Sequence, residues 1–158
     1  MSYIYPAPGV ADVQTTLTIS DANADPIDAG YVVPALQDIT FNAAQDVFSW
    51  EQLDVGSKLQ IATTATNSIS MNLVVDQNAF FGDAAATGAA EIAGIFKLSQ
   101  DKTLVKVELY MGDTSDGEQG KTISATGYIT GLAPSVSASS PVWVSPATLT
   151  ITGSYTVS

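Results

Sequence analysis

The 158-residue chain has no cysteine, no histidine and no arginine, and only five lysines. Without cysteine there is no disulfide, no zinc–thiolate site and no thiol nucleophile. Without histidine, Ser-His-Asp and Cys-His machinery are excluded as well. Five lysines against 16 carboxylates leave a formal net charge of −11. Such a chain does not grip phosphate backbones, which takes clustered Lys and Arg, and the same balance disfavours anionic membrane surfaces. No apolar run approaches the ~20 residues of a membrane helix. The opening MSYIYPAPGVADVQ has neither the basic start nor the apolar run of a signal peptide. The expectation is a soluble protein made in the cytoplasm. Glycine-rich phosphate loops of the GxGxxG or Walker kind are also missing. Gly127 and Gly131 have GxxxG spacing, which in a strand says nothing about membrane helices.

Apolar residues make up 46% of the chain and charged residues 13%. That is enough to bury a core, and the length fits one domain over residues 1–158. Period-2 alternation dominates. In NSISMNLVV, Ile69, Met71, Leu73 and Val75 alternate with Ser68, Ser70 and Asn72; in TLVKVELYM, Val105, Val107, Leu109 and Met111 alternate with Lys106 and Glu108. Near the end, Leu149, Ile151, Tyr155 and Val157 oppose Thr148, Thr150, Thr152, Ser154 and Thr156. Further strands are predicted at 13–20, 36–43, 57–63 and 122–130, with a short one at GYVVP. DANADP, MGDTSDGEQG and LAPSVSASSP carry the turn chemistry between them. Residues 81–100 are Ala-rich, with Ile92, Ile95, Phe96 and Leu98 at helical spacing and Asp83 placed to cap. Gly88 and Gly94 weaken that helix. The predicted fold is mainly β: an antiparallel sandwich or open barrel with one α-helix packed on its side. Alternation with a Thr/Ser face means sheets covered on one side only, and assembly is one way to protect such faces and edges.

Carboxylates are plentiful, but Asp113, Asp116 and Glu118 sit in a turn and no acid–base constellation can be named, so no enzyme is expected. DANADPIDAG begins like a calcium loop with Asp21, Asn23 and Asp25, then puts Pro26 where Gly is needed and Val32 where a bidentate Glu is needed. An Asx-type turn is the simpler reading. DTSDGE, 113–118, could hold Ca²⁺ weakly but as a hairpin tip needs no metal. No metal and no cofactor is expected.

Aromatic residues remain to be placed. Tyr3 and Tyr5 lie in a Pro-containing N-terminal arm, residues 1–12. Phe48, Trp50 and Leu53 lie in a stretch, 44–58, predicted irregular. Val142, Trp143 and Val144 lie in the 132–146 connection. Each could fold back over its own sandwich as a lid, but three such segments together favour a self-association surface, where Trp and Tyr are preferred anchors.

The order of elements resembles that of the major tail tube proteins of long-tailed bacteriophages. The strand SISMNLVVDQN is followed by the helix AAATGAAEIAGIFKL, the strand TLVKVELYMGD and a closing pair running into ATLTITGSYTV. The likeness spans roughly 35–157 and is clearest from Ser68 onward. The chain departs from many members in its brevity, its lack of arginine and the absence of an appended Ig-like domain. The resemblance implies a virion protein, synthesised in the host cytoplasm, that forms hexameric rings stacked into a hollow tube. Its partners would be further copies of itself and a terminator, tip or tape-measure protein, and DNA would pass through unbound. It makes Ser68, Ser70 and Asn72, or Thr148, Thr150 and Thr152, candidates for the lumen face. The arm, the 44–58 stretch and the 132–146 connection become subunit contacts. An acidic, arginine-free wall would repel DNA over about 8–10 Å at physiological salt. Two other readings stay open: a capsid decoration or head–tail completion protein, and a carbohydrate-binding or adhesin sandwich.

Overall fold

The computed structural model describes residues 15–24, 28–34, 36–112 and 120–158. Alternation becomes strand in each place where it is regular. The strands are β1 (Thr15–Asp21), β2 (Tyr31–Val32), β3 (Leu36–Asn42), β4 (Asp46–Gln52), β5 (Val55–Thr63) and β6 (Ser68–Val74). After two helices, α1 (Gln77–Phe81) and α2 (Ala89–Gln100), follow β7 (Val105–Met111), β8 (Lys121–Thr130), β9 (Ser135–Ser137), β10 (Ser140–Ile151) and β11 (Thr156–Val157). Nine strands form one antiparallel sheet in the order β2-β1-β7-β8-β10-β6-β3, with β11 on β8 and β9 on β10. The mainly-β antiparallel class with a helix packed on its side is therefore as predicted, with a second, one-turn helix added.

One face of the sheet builds the core. Leu17 and Ile19, Val105, Val107 and Leu109, Ile123, Ala125 and Ile129, Leu149 and Ile151, and Ile69, Met71 and Leu73 join a single buried cluster. Each of the Val, Leu, Ile and Met side chains among them contributes on the order of 1.5–3 kcal/mol through removal from water. Phe80, Ala90, Ile95 and Leu98 close the cluster from the helical side. Of the expected helix, 81–100, only 89–100 forms as α2, after a non-helical link from α1, and only Ile95 and Leu98 of its predicted apolar set are buried. Ile92 and Phe96 are exposed, because α2 is broken at Gly94 (φ 75°) and the stripe that helical spacing implies is rotated there. Gly94 packs directly against the backbone of Phe81 and Gly82, and Gly82 (φ 103°) against that of Ile92 and Ala93. A side chain at either position would separate the two helices.

Asp83 does not cap α2; it closes a local turn by accepting from the Ala85 N–H at 2.9 Å. The capping position is Gly88, which has no side chain, and the carboxylate is supplied from 62 residues away. Asp28 is buried and accepts from the backbone N–H groups of Ala90 (2.9 Å), Asp21 (2.9 Å) and Gly30 (3.0 Å). A Cβ at residue 88 would stand 2.7 Å from Asp28 Oδ1, so the glycine makes room for the distant cap. Burial alone would raise the Asp28 pKa; the N–H groups of Asp21, Gly30, Ala90 and Ala89 outweigh it and the net shift is downward. Next to it, the Tyr31 hydroxyl donates to the Ala79 carbonyl (3.2 Å), and burial, with Glu91 and Asp28 nearby, pushes its pKa well up. Together these bonds tie the β1–β2 connection to both helices. In DANADP the simpler reading holds for the described residues, the Asn23 N–H donating to Asp21 Oδ1 at 2.9 Å in an Asx turn. Asp25, Pro26 and the 113–118 turn lie outside the described residues.

Candidate functional site

Four surfaces remain among the described residues once the core is assigned: the outer face of the sheet, two apolar projections and an aromatic patch on the helices.

The two alternative sets of lumen candidates turn out to be neighbours. β6 pairs with β10 so that Ser70 faces Thr148 and Ser68 faces Thr150, while Asn72 faces Pro146. β3 continues the surface on the other side of β6, with Thr40 opposite Ser70, Asp38 opposite Asn72 and Asn42 opposite Ser68. β8, β7 and β1 extend it in the other direction through Thr130, Tyr128, Glu108, Lys106 and Thr18. Thr152 falls just beyond the end of β10, its N–H donating to the Thr126 carbonyl at 2.8 Å. Asn42 Nδ2 donates to Ser68 Oγ (3.3 Å) and Ser70 Oγ (3.2 Å), and Asn72 Nδ2 to both Asp38 oxygens (3.0 and 2.9 Å). These cross-strand bonds hold the polar side chains in place across the pleat.

The candidate lumen face is not itself acidic. Among the described residues this face carries the carboxylates of Asp38 and Glu108 and the ammonium of Lys106, and Lys106 Nζ lies 3.0 Å from Glu108 Oε1. This face is therefore a near-neutral field of hydroxyls and amides. Other carboxylates sit elsewhere: Asp46, Glu51 and Asp54 on the β4–β5 hairpin, and Asp76, Asp83, Glu91 and Asp101 around the helices. Period-2 alternation shows which residues share a face, but whole-chain charge does not show on which face the carboxylates fall.

The 44–58 stretch is not irregular. β4 and β5 form a separate two-stranded sheet closed by a turn at Leu53–Asp54. Phe48 stands opposite Ile61 and Trp50 opposite Leu59, and Phe48 stacks on Trp50 with ring centroids 6.0 Å apart. No described residue of this hairpin is buried; Phe48 is 59% and Ile61 57% exposed. Leu53 projects fully at the tip. An isolated two-stranded ribbon is marginal in water, so an apolar face left open on one is a surface in need of cover. Ile61 and Leu59 were legible in principle: Leu59/Ile61 alternate in phase with Phe48/Trp50 across a two-residue turn.

The 132–146 connection is also strand. β9 and the first part of β10 pair with each other beyond the end of β6, so Trp143 lies within a strand rather than a loop. Val142, Trp143 and Val136 are exposed, Trp143 by 54%, while Val144 is half-buried where it pairs with Val74. Ser145 is buried; its hydroxyl accepts from the Ala133 N–H at 3.2 Å and anchors the base of this extension. Tyr3 and Tyr5 lie outside the described residues. A further aromatic patch escaped the sequence reading because helical spacing put it in the core. Phe81, 57% exposed, and Phe96 pack on each other at 5.8 Å and on buried Phe80, beside exposed Ile92. Among the described residues no group of three His, Cys, Asp or Glu side chains is placed to hold a metal, and no helix is long and apolar enough to cross a membrane.

No protein-family model matches the sequence, and neither does any curated protein. Solved structures do match. The tail of an empty gene transfer agent particle, refined with helical C6 symmetry, superposes with a TM-score of 0.61 over 93% of this chain and 97% of its own, at 8% identity. The sheath/tube terminator of an extracellular contractile injection system gives 0.56 over 99% of both chains at 15% identity. The tube-terminating cap of the anti-feeding prophage gives 0.54 over 100% of this chain and 94% of that one at 14% identity. The chain shares the fold of these tail components over essentially its whole length.

Proposed function

We propose that this chain is a structural subunit of a phage-like tail, assembling as rings that stack into a hollow tube. The observation that carries the reading is the β4–β5 hairpin, whose apolar face the other described residues leave largely uncovered. A fold shared with tail components, two of which terminate or cap a tube, supports it. Six copies per ring would follow the symmetry of the gene transfer agent tail. The outer sheet face, with Ser68, Ser70, Asn72, Thr148 and Thr150, would line the lumen. Its hydroxyls offer DNA no cluster of cations, and passage without binding requires no more than that. Residual repulsion would come from the carboxylates elsewhere on the chain. The particle tail would be its location, and no catalytic step is assigned to it.

A second reading is favoured by the same likenesses: a ring that ends a tube rather than continuing it, as a terminator or head–tail completion protein would. The carbohydrate-binding reading has less behind it. The exposed aromatics stand on projections, while the open cleft of about 570 Å³ beside the end of α2 contains a single aromatic, Tyr128, with Ser99, Lys102, Ile129 and Thr130. Negative-stain imaging of the concentrated chain separates the three. Uniform tubes support the tube subunit, closed rings that never lengthen support the terminator, and isolated globules at every concentration reject both.

A further inference from the structure

The two apolar projections are rooted at opposite ends of the sheet. β3 ends at Asn42, opposite Ser68 at the start of β6, and the Ala44 N–H is held by Asn67 Oδ1 at 2.9 Å. Both roots of the β4–β5 hairpin therefore leave the sheet at its Ser68–Thr150 end. β6 finishes at Val74, opposite Val144, and from there β10 carries Val142 and Trp143 away past the other end, paired with β9. Among the described residues, each pole of the strands thus presents one apolar surface that the fold leaves exposed.

We propose that these two surfaces are complementary halves of one contact: the Phe48/Trp50/Ile61 face of one copy docks on the Val136/Val142/Trp143 extension of a second copy, head to tail. The inference rests on the stacked-ring reading above and adds which surface meets which. Charge selects the pair. The hairpin carries Asp46, Glu51 and Asp54 against Lys58, whereas residues 133–144 contain no charged side chain at all. The other exposed aromatic patch, Phe81/Ile92/Phe96, belongs to a helical region that carries Asp76, Asp83, Glu91 and Asp101 against Lys97 and Lys102, so a hairpin laid there would bring its carboxylates onto a net negative surface. Hairpin against hairpin would do the same and would close as a dimer. A contact between unlike surfaces at opposite poles leaves one of each free after every addition, and so continues.

Because the chain lacks cysteine, single thiols can be introduced without background. Ile61→Cys and Val142→Cys sit at exposed positions, so neither threatens the fold. Chains carrying one or the other are mixed, chains carrying both are prepared separately, and all are treated with a short bis-maleimide while assembly is followed by sedimentation. The expected result is a covalent dimer in the mixture, a ladder of multimers for the double variant, and neither product for each single variant alone. Trp143→Ala in the mixture should abolish the dimer. Assembled material with no Ile61→Cys to Val142→Cys product, or with products joining like sites, overturns the pairing and leaves the ring reading standing. A chain that sediments as a monomer throughout overturns both.

Discussion

The nine-stranded sheet and the β4–β5 hairpin are both antiparallel β-structure with alternating apolar residues, yet they stand in opposite energetic positions. In the sheet, Leu17, Ile69, Val105, Val107 and Leu149 are wholly removed from water by their own chain. In the hairpin the same alternation, Phe48 and Trp50 against Leu59 and Ile61, leaves Trp50 and Leu59 half-buried against their neighbours and Phe48 and Ile61 exposed, with no other described layer over them. Identical local patterning thus serves folding in one place and offers a contact in the other. What distinguishes them is whether another layer of the same chain lies over the apolar face. The helices provide that layer for part of the sheet; nothing described provides it for the hairpin.

Substitutions should separate the two regions. The largest effect on folding is expected from Leu149→Ala, at the centre of the buried cluster, which should lower the unfolding free energy in urea by about 2–5 kcal/mol. An unchanged midpoint would mean that the sheet core is not the stabilising unit. Next comes Asp28→Asn, which keeps the shape but removes the charge that three backbone N–H groups share, and should cost about 1–3 kcal/mol at neutral pH. Its pH dependence has a definite sign. The native pKa of Asp28 lies below the ordinary 3.8, so its contribution is complete above that value and is lost as the pH falls through the native one. Acid titration of stability should therefore be shallower in Asp28→Asn than in the parent below pH 4, and parallel curves would show that Asp28 is not the group concerned.

Phe48→Ala, Trp50→Ala and Trp143→Ala should behave in the opposite way. None of these side chains is buried, so monomer stability should change by no more than about 0.5 kcal/mol. Assembly should weaken roughly 30-fold or more in the concentration required, as for the loss of an interface anchor worth about 2 kcal/mol. A lowered melting temperature of the monomer with assembly intact would make these aromatics lids on their own chain. The smallest effect on folding is expected from Thr150→Lys on the polar sheet face, within about 0.5 kcal/mol of the parent. If that face lines a lumen, tubes of this variant should retain added DNA at low salt while parent tubes release it; equal release by both would remove the face from the lumen.

The sheet was legible because its strands alternate strictly and each buries one face, so β6, β7, β8 and the end of β10 could be read almost to the residue. The hairpin was hidden by its composition. Its second strand was read at 57–63, but Glu51, Gln52, Asp54 and Gly56 interrupt the pattern at the turn and hid the first strand, β4, and the pairing of the two. Trp143 was misplaced in a connection because Pro141 and Pro146 suggest a break in what is one continuous strand; Pro146 takes an exposed position in the ladder instead. The helices were hardest. Spacing could not reveal that Gly94 breaks α2, nor that its cap would come from Asp28, since both depend on backbone contacts between residues far apart in sequence. The near-neutral character of the polar sheet face was illegible for a related reason: net charge is a sum over the chain, and a face is a selection from it.

Amide hydrogen exchange as a function of protein concentration tests the central claim most directly, because it reads the two β regions in one sample. Residues 105–111 and 121–130 should be protected at every concentration. Residues 46–63 should exchange rapidly in dilute solution and become protected, together with 135–144, as the chain is concentrated into rings. Hairpin amides whose exchange is the same in dilute and concentrated samples would contradict the account: the apolar face would then have no partner in a second copy of the chain.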